Sequence, residues 1–275
     1  MKRTKKQVCG ITGSSGTLGS KIIKSKRFSF IKYKGDVTNR KQLENWVSKY
    51  KFDLFIHLAA IVPVKKVKDN FNLAKQVNIS GTKNLVNSLI KHQINLKWFF
   101  FSSTSHVYNF NEKKISERNN LNPISKYGKT KLMGEKILLK KKLNICVGRI
   151  FSFTHKSHQD SYLIPSLYRK IIKSKNKSIL LENLNHFRDF LDLDDICKAI
   201  SILMKNQKTG IYNICSSRKT NLQNIAIYMA KKKKIKYKFK KNKYKITNLI
   251  GENKKLKLQG WKPKKNISFI LNNYL

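Results

Sequence analysis

The stretch that most constrains the fold lies near the N-terminus. Val8-Cys-Gly-Ile-Thr-Gly13 reads as a short apolar strand, and Gly13, Gly16 and Gly19 accompany the apolar-periodic Leu18, Ile22 and Ile23. In a strand, glycine-rich turn and helix, the backbone can pass close to a pyrophosphate while the helix start offers unpaired N–H groups. The spacing is G-x-x-G-x-x-G rather than G-x-G-x-x-G, so on this segment alone a plain glycine turn stays open. The chain continues in the same alternation. Strands are expected around 8–11, 28–33, 54–58, 98–102, 145–150, 190–193 and 212–214, with helices around 18–25, 41–50, 70–92, 126–141 and 194–205. Mostly apolar strands alternating with helices predict an α/β fold with a doubly wound parallel sheet, its ligand crevice beyond the carboxyl ends of the strands.

The chemistry-bearing pattern is Ser125-Lys-Tyr-Gly-Lys-Thr-Lys131, in which Tyr127 and Lys131 stand four apart and share a helix face. A free tyrosine has a pKa of about 10, so acid/base work near neutral pH needs a cation that stabilises the phenolate. Lys131 is expected to supply it. Taken alone, the pair also reads as a solvated lysine beside a core tyrosine.

Composition bounds the function classes. The 275 residues carry 60 Lys and Arg against 14 Asp and Glu, a formal charge of +46 that attracts nucleic acid or anionic membrane. Residues 231–245 are the densest basic run, and the alternation of Ile235, Tyr237 and Phe239 with lysines suits a strand with one buried and one solvated face. Cys9, Cys146, Cys197 and Cys215 are far apart and form no CxxC pair; they read as buried residues in a reducing cytoplasm, with no metal site. No run approaches a membrane span, and the apolar stretch after Met1–Lys6 stops too early for a signal peptide. Without repeats or a Gly/Ser/Pro linker, two lobes are expected to interleave: 1–151 with 188–215 as the dinucleotide domain, 152–187 and 216–275 as a small substrate lobe.

Together these residues resemble the extended short-chain dehydrogenase/reductase family, in its nucleotide-sugar epimerase, dehydratase and reductase branch. Thr12 to Gly19 is similar to its TGxxGxLG turn, His57-Leu-Ala-Ala60 to the end of its fourth strand and Asn78 to Leu85 to its NxxGTxNL helix. Phe101 to Tyr108 resembles SSxxxVY, Pro123 to Lys131 PxSxYGxSK, Arg188 to Asp195 RDFxxVDD and Gly260 to Pro263 GWxP, in the family's order along the whole chain. The fold implied is Rossmann-like, and the lobe that closes over the nucleotide-sugar is reduced, because length is missing between Ser25 and Asp53 and between Phe151 and Arg188.

The resemblance also implies roles. Tyr127 moves the proton on a sugar oxygen, Lys131 lowers its pKa and holds the nicotinamide ribose, and Thr104 hydrogen-bonds the same oxygen. Gly13, Ser15, Gly16, Thr17, Leu18, Asp36, Val37, Leu58, Ala59, Ala60, Asn78 and Lys131 are expected to line an NAD or NADP site; Asn78 reads equally as a structural amide. Thr104, Ser105, Tyr127 and Arg188 are expected to meet a nucleotide-diphosphate sugar, Arg188 at the diphosphate. Ser105 and His106 replace the Asp and Glu of 4,6-dehydratases, which disfavours dehydration; His106 reads as an acid/base or as a pocket-lining side chain. Asp36 lies 17 positions after Gly19, near the place of the acid that binds the ribose diol of NAD. Gly35-Asp-Val-Thr38 also resembles the segment after the third strand, in which case Arg27, Lys32 and Lys34 would face a 2′-phosphate. The expected protein is thus a cytoplasmic NAD(P)-dependent nucleotide-sugar epimerase or 4-keto-reductase for surface polysaccharide or glycoconjugate synthesis. It is expected to dimerise through helices near 70–92 and 126–141 and to bind no specific nucleic acid. The opposing reading is an inert Rossmann-fold protein that binds RNA or anionic membrane.

Overall fold

The computed structural model describes residues 6–93, 96–172, 174, 178–240 and 245–274. Its centre is a six-stranded, all-parallel sheet built from β1 (Val8–Thr12), β2 (Ser29–Lys32), β3 (Leu54–His57), β4 (Trp98–Thr104), β5 (Ile145–Ile150) and β6 (Gly210–Ile214). The order β2-β1-β3-β4-β5-β6 reverses direction between β1 and β3, which opens the crevice at their carboxyl ends. Period-2 alternation sends strand side chains into two cores. Cys9, Ile11, Leu54, Ile56, Trp98 and Phe100 meet α1 (Thr17–Ile22) and the helix Leu193–Lys205 on one face. Phe55, Phe99, Phe101 and Val147 meet α2 (Arg40–Lys49) and the helices Thr82–His92 and Lys126–Leu139 on the other. The doubly wound parallel sheet expected from the sequence is therefore the fold observed.

The differences are local and have visible causes. The helix expected over 70–92 is three pieces: Phe71–Lys75, a π-helical turn at Gln76–Gly81, and Thr82–His92. The wider turn brings Asn78 wholly inward, where its Oδ1 accepts from Ile61 N at 2.7 Å and its Nδ2 donates to Thr130 Oγ1 at 3.0 Å. An unexpected helix, Val64–Asp69, precedes it. The strand expected over 190–193 stops at Leu191 and pairs with Ser152–Phe153 outside the main sheet, because Asp192 caps the helix that follows, accepting from Asp194 N at 2.8 Å.

A third core joins Leu163–Ile172, Leu222–Lys232 and the ladder of Ser178–Leu181 with Lys236–Phe239. In that ladder Tyr237 and Phe239 turn inward while Lys236 and Lys238 stay exposed, as the alternation predicted. Residues 241–244 of the basic run lie outside the described residues. A small sheet of Phe187–Arg188, Thr220–Asn221 and Asn248–Leu249 completes the fold.

Candidate active site

The glycine turn connects β1 to α1. Gly13 has φ +70°, and a Cβ there would lie 2.6 Å from Ala59 N; one on Gly19 would lie 2.2 Å from the Gly13 carbonyl oxygen. Both positions admit only hydrogen. The turn thus packs directly on Leu58-Ala59-Ala60 at the end of β3, leaving Ser15 and Gly16 exposed with Thr17 and Leu18 opening the helix. The exposed Ser15–Gly16 backbone ahead of the start of α1 offers N–H groups of the kind a dinucleotide pyrophosphate binds, so the residues present fit NAD or NADP. Val37 packs on Gly81, and Asn84 Nδ2 donates to the carbonyls of Val37 and Thr38 at 3.4 and 3.3 Å.

Across the crevice, the Tyr127 phenol faces Thr104, the last residue of β4. Ser125 caps the helix that carries Tyr127, accepting from Gly128 N at 3.0 Å, and a Cβ at Gly128 would lie 2.1 Å from the His106 carbonyl oxygen. That close approach seats the helix against the end of β4. Lys131 is 2% exposed, with its ammonium 4.1 Å from the centre of the Phe101 ring. Burial pulls its pKa down to about 7, with Glu135 one turn on opposing the fall. Burial and the nearby Tyr162 push the Tyr127 phenol above its ordinary range, with the Thr104 hydroxyl opposing the rise. Lys131 is not among the groups that shift the phenol in this structure, where burial has the largest effect.

A hydrogen-bonded chain ties the two halves of the site together. Thr82 Oγ1 donates to Asn78 O at 2.8 Å, so it accepts from His57 Nε2 at 2.9 Å; His57 Nδ1 then accepts from Thr12 Oγ1 at 2.6 Å. From Asn78 the chain passes to Thr130, whose hydroxyl donates to the Tyr127 carbonyl at 2.8 Å. His57 is fully buried and held neutral by desolvation, its pKa pulled down to about 3. Asn78 is thus committed to backbone and Thr130, the structural amide of the two readings.

His106 stands beside this pair, its ring 6.0 Å from that of Tyr127 and its Nδ1 3.0 Å from Ser125 Oγ. Burial, then the charge of Arg188, pulls its pKa down to about 4, so it is neutral at pH 7. Arg188 Nη1 donates to Phe187 O at 2.8 Å, Thr247 O at 3.1 Å and Thr247 Oγ1 at 3.0 Å, and its guanidinium lies 5.2 Å from the Phe110 ring centre. Among the described residues no carboxylate pairs with it. Ser105, 2% exposed, lies below the site surface.

The NAD dependent epimerase/dehydratase family matches residues 9–215, three quarters of the chain. The chain belongs to this family. The GDP-6-deoxy-D-talose 4-dehydrogenase of Aggregatibacter actinomycetemcomitans is 29% identical over 75% of this chain and 73% of that protein. The Bacillus subtilis protein called uncharacterized UDP-glucose epimerase YtcB is 30% identical over 66% of this chain, which spans 57% of its length. The structure of RMD from Pseudomonas aeruginosa, complexed with NADPH, superposes with a TM-score of 0.86 over 98% of each chain at 22% identity, which establishes the shared fold.

Within this epimerase/dehydratase chain, sequence reasoning missed what the acidic segment does. Asp189 accepts from Ser216 N and Oγ, Ser217 N and Gly251 N at 2.7, 2.6, 2.8 and 3.3 Å, binding the end of β6 and residue 251 beside Arg188. Asp195 accepts from the backbone N–H groups of Lys264 and Lys265 at 2.9 and 3.0 Å. The only signal was four of 14 acids clustered in seven residues. Arg27, a candidate for the 2′-phosphate, precedes β2 and so lies at the amino end of the sheet, opposite the crevice.

Proposed function

We propose that the chain is an NAD(P)-dependent nucleotide-sugar 4-epimerase or 4-keto-reductase. The observation that carries this reading is the placing of Tyr127 beside Thr104 at the carboxyl end of β4, with buried Lys131 one helical turn on and Arg188 near His106 without a carboxylate. Gly13, Ser15, Gly16, Thr17, Leu18, Leu58, Ala59 and Ala60 would hold the dinucleotide, with Asp36 and Val37 toward its adenosine and Lys131 at the nicotinamide ribose. When bound, the cofactor supplies the hydride exchange that the protein cannot perform. The chain's own part is to orient and protonate. Tyr127, held as the neutral phenol, gives its proton to a sugar ketone oxygen or takes one from the hydroxyl, and Thr104 fixes that oxygen by a second hydrogen bond.

Arg188 would pair with the diphosphate, and neutral His106 would line the pocket beside the sugar. Lys131, with its pKa near 7, can carry charge to the site as it fills. With Ser105 and His106 in place of two carboxylates, elimination of water is not part of this reading. A cytoplasmic location and a role in surface polysaccharide or glycoconjugate synthesis belong to it. So does a homodimer through Thr82–His92 and Lys126–Leu139, where Ile90, Met133 and Leu139 are exposed among lysines.

The test is turnover of UDP- and GDP-linked hexoses and their 4-keto forms with either dinucleotide. Tyr127→Phe is expected to lower it by about 10²–10⁴-fold. Unaltered turnover in that variant would remove the enzyme reading.

A further inference from the structure

The sheet ends at β2, and what stands at its carboxyl end decides which dinucleotide fits. Ile11 pairs with Lys32, and Tyr33 N donates to Ile11 O at 2.9 Å, so the ladder runs one residue past the strand. Lys34 is therefore the first residue beyond it, level with Gly13 where the glycine turn begins. The Tyr33 hydroxyl donates to Asp36 O at 3.0 Å, closing a short loop that leaves Lys34 and Gly35 exposed on its outside. Lys32 is exposed as well.

Binding the diol of an unphosphorylated adenosine ribose calls for a carboxylate at this strand end, whereas a 2′-phosphate calls for cations. Between Gly13 and Phe52 the chain has two acids, Asp36 and Glu44. Glu44 is tied to Lys91 at 2.7 Å and His92 at 3.1 Å, at the last turn of the helix Thr82–His92. Asp36 closes the loop two residues beyond Lys34, and its Oδ1 is turned back to accept from Thr38 N at 2.8 Å. The strand end is left with two lysines and no acid of its own.

We infer that the adenosine end of this site is built for a 2′-phosphorylated dinucleotide, NADP(H), with Lys34 the principal phosphate ligand and Lys32 the second cation. The inference rests on the dinucleotide reading above and deepens it. A cofactor of this kind is consumed and released, which favours net reduction of a keto-sugar over cofactor-neutral epimerisation.

Isothermal titration of the purified chain with NADP⁺, NAD⁺, 2′,5′-ADP and 3′,5′-ADP tests it, at an ionic strength that screens the chain's overall field. NADP⁺ is expected to bind about tenfold or more tightly than NAD⁺, the worth of one charge-assisted contact. The 2′,5′ isomer should exceed the 3′,5′ isomer, which has the same charge, and Lys34→Glu with Lys32→Glu should erase both preferences. NAD⁺ binding as tightly as NADP⁺, or two isomers bound alike, overturns the assignment while leaving the dinucleotide reading intact. Failure of both dinucleotides to bind overturns both.

Discussion

Arg149 is buried and Arg188 half-buried, and the two guanidinium groups are held in opposite ways. Arg149, 1% exposed on β5, donates through Nε and Nη2 to the Glu135 carboxylate at 2.7 to 3.3 Å and through Nη1 to Tyr108 Oη at 2.8 Å. Ser103 completes the cluster by donating to Glu135. Burial pulls the Arg149 pKa down, but the hydrogen bonds and charge of Glu135 outweigh it and leave the group above its ordinary value. Arg188 is fixed by carbonyls, a hydroxyl and an aromatic face that orient it without cancelling its charge, and burial takes its pKa down to about 10. A buried cation with its carboxylate is part of the framework. One without it costs stability, and in the function proposed above Arg188 is kept for a diphosphate.

Removing the paired member should do the most damage. Arg149→Met leaves Glu135 charged in the core and is expected to cost about 3–5 kcal/mol in urea unfolding. A cost below about 1 kcal/mol would show that the pair carries little of the framework. Arg188→Met should leave unfolding unchanged or shift it toward greater stability while weakening UDP or GDP binding by about tenfold to a hundredfold in titration calorimetry. Equal losses of stability in the two variants would erase the distinction between them.

Lys131 sharpens the same contrast through pH. Its folded pKa of about 7 lies below the ordinary 10.5, so between those values the unfolded chain binds more protons. Stability from this group therefore rises with pH across that window, by up to about 1.4 kcal/mol per unit, and falls as pH drops toward 7. Urea melts across the window should show the slope, and Lys131→Met should flatten it.

The sequence announced what local pattern can announce. The glycine turn, the strand alternation and the Tyr127–Lys131 spacing are contacts within a few residues, and each appears where periodicity placed it. What it concealed depends on partners far along the chain. Asp195 holds backbone 69 and 70 residues away, and Asp189 reaches 27 to 62 residues on. His57 became a relay between Thr12 and Thr82 only when three elements converged. The raised pKa of Tyr127 was hidden for a related reason: helical spacing gives proximity but not burial, and desolvation is the largest influence on the phenol. Arg27 was misassigned although its place was legible: it precedes the strand at 28–33, whereas the crevice lies beyond the carboxyl ends.

The outer position of β2 has one more consequence. An edge strand offers unpaired N–H and C=O groups on which another chain can add, and natural sheets blunt such edges with charge, lysine above all. Ser29 and Lys32 are the exposed residues of β2. Lys32 thus helps guard this rim of the sheet against aggregation. Reversing the charge of Lys32 would preserve that protection, whereas an apolar residue there would convert the rim into a template for fibrous self-association.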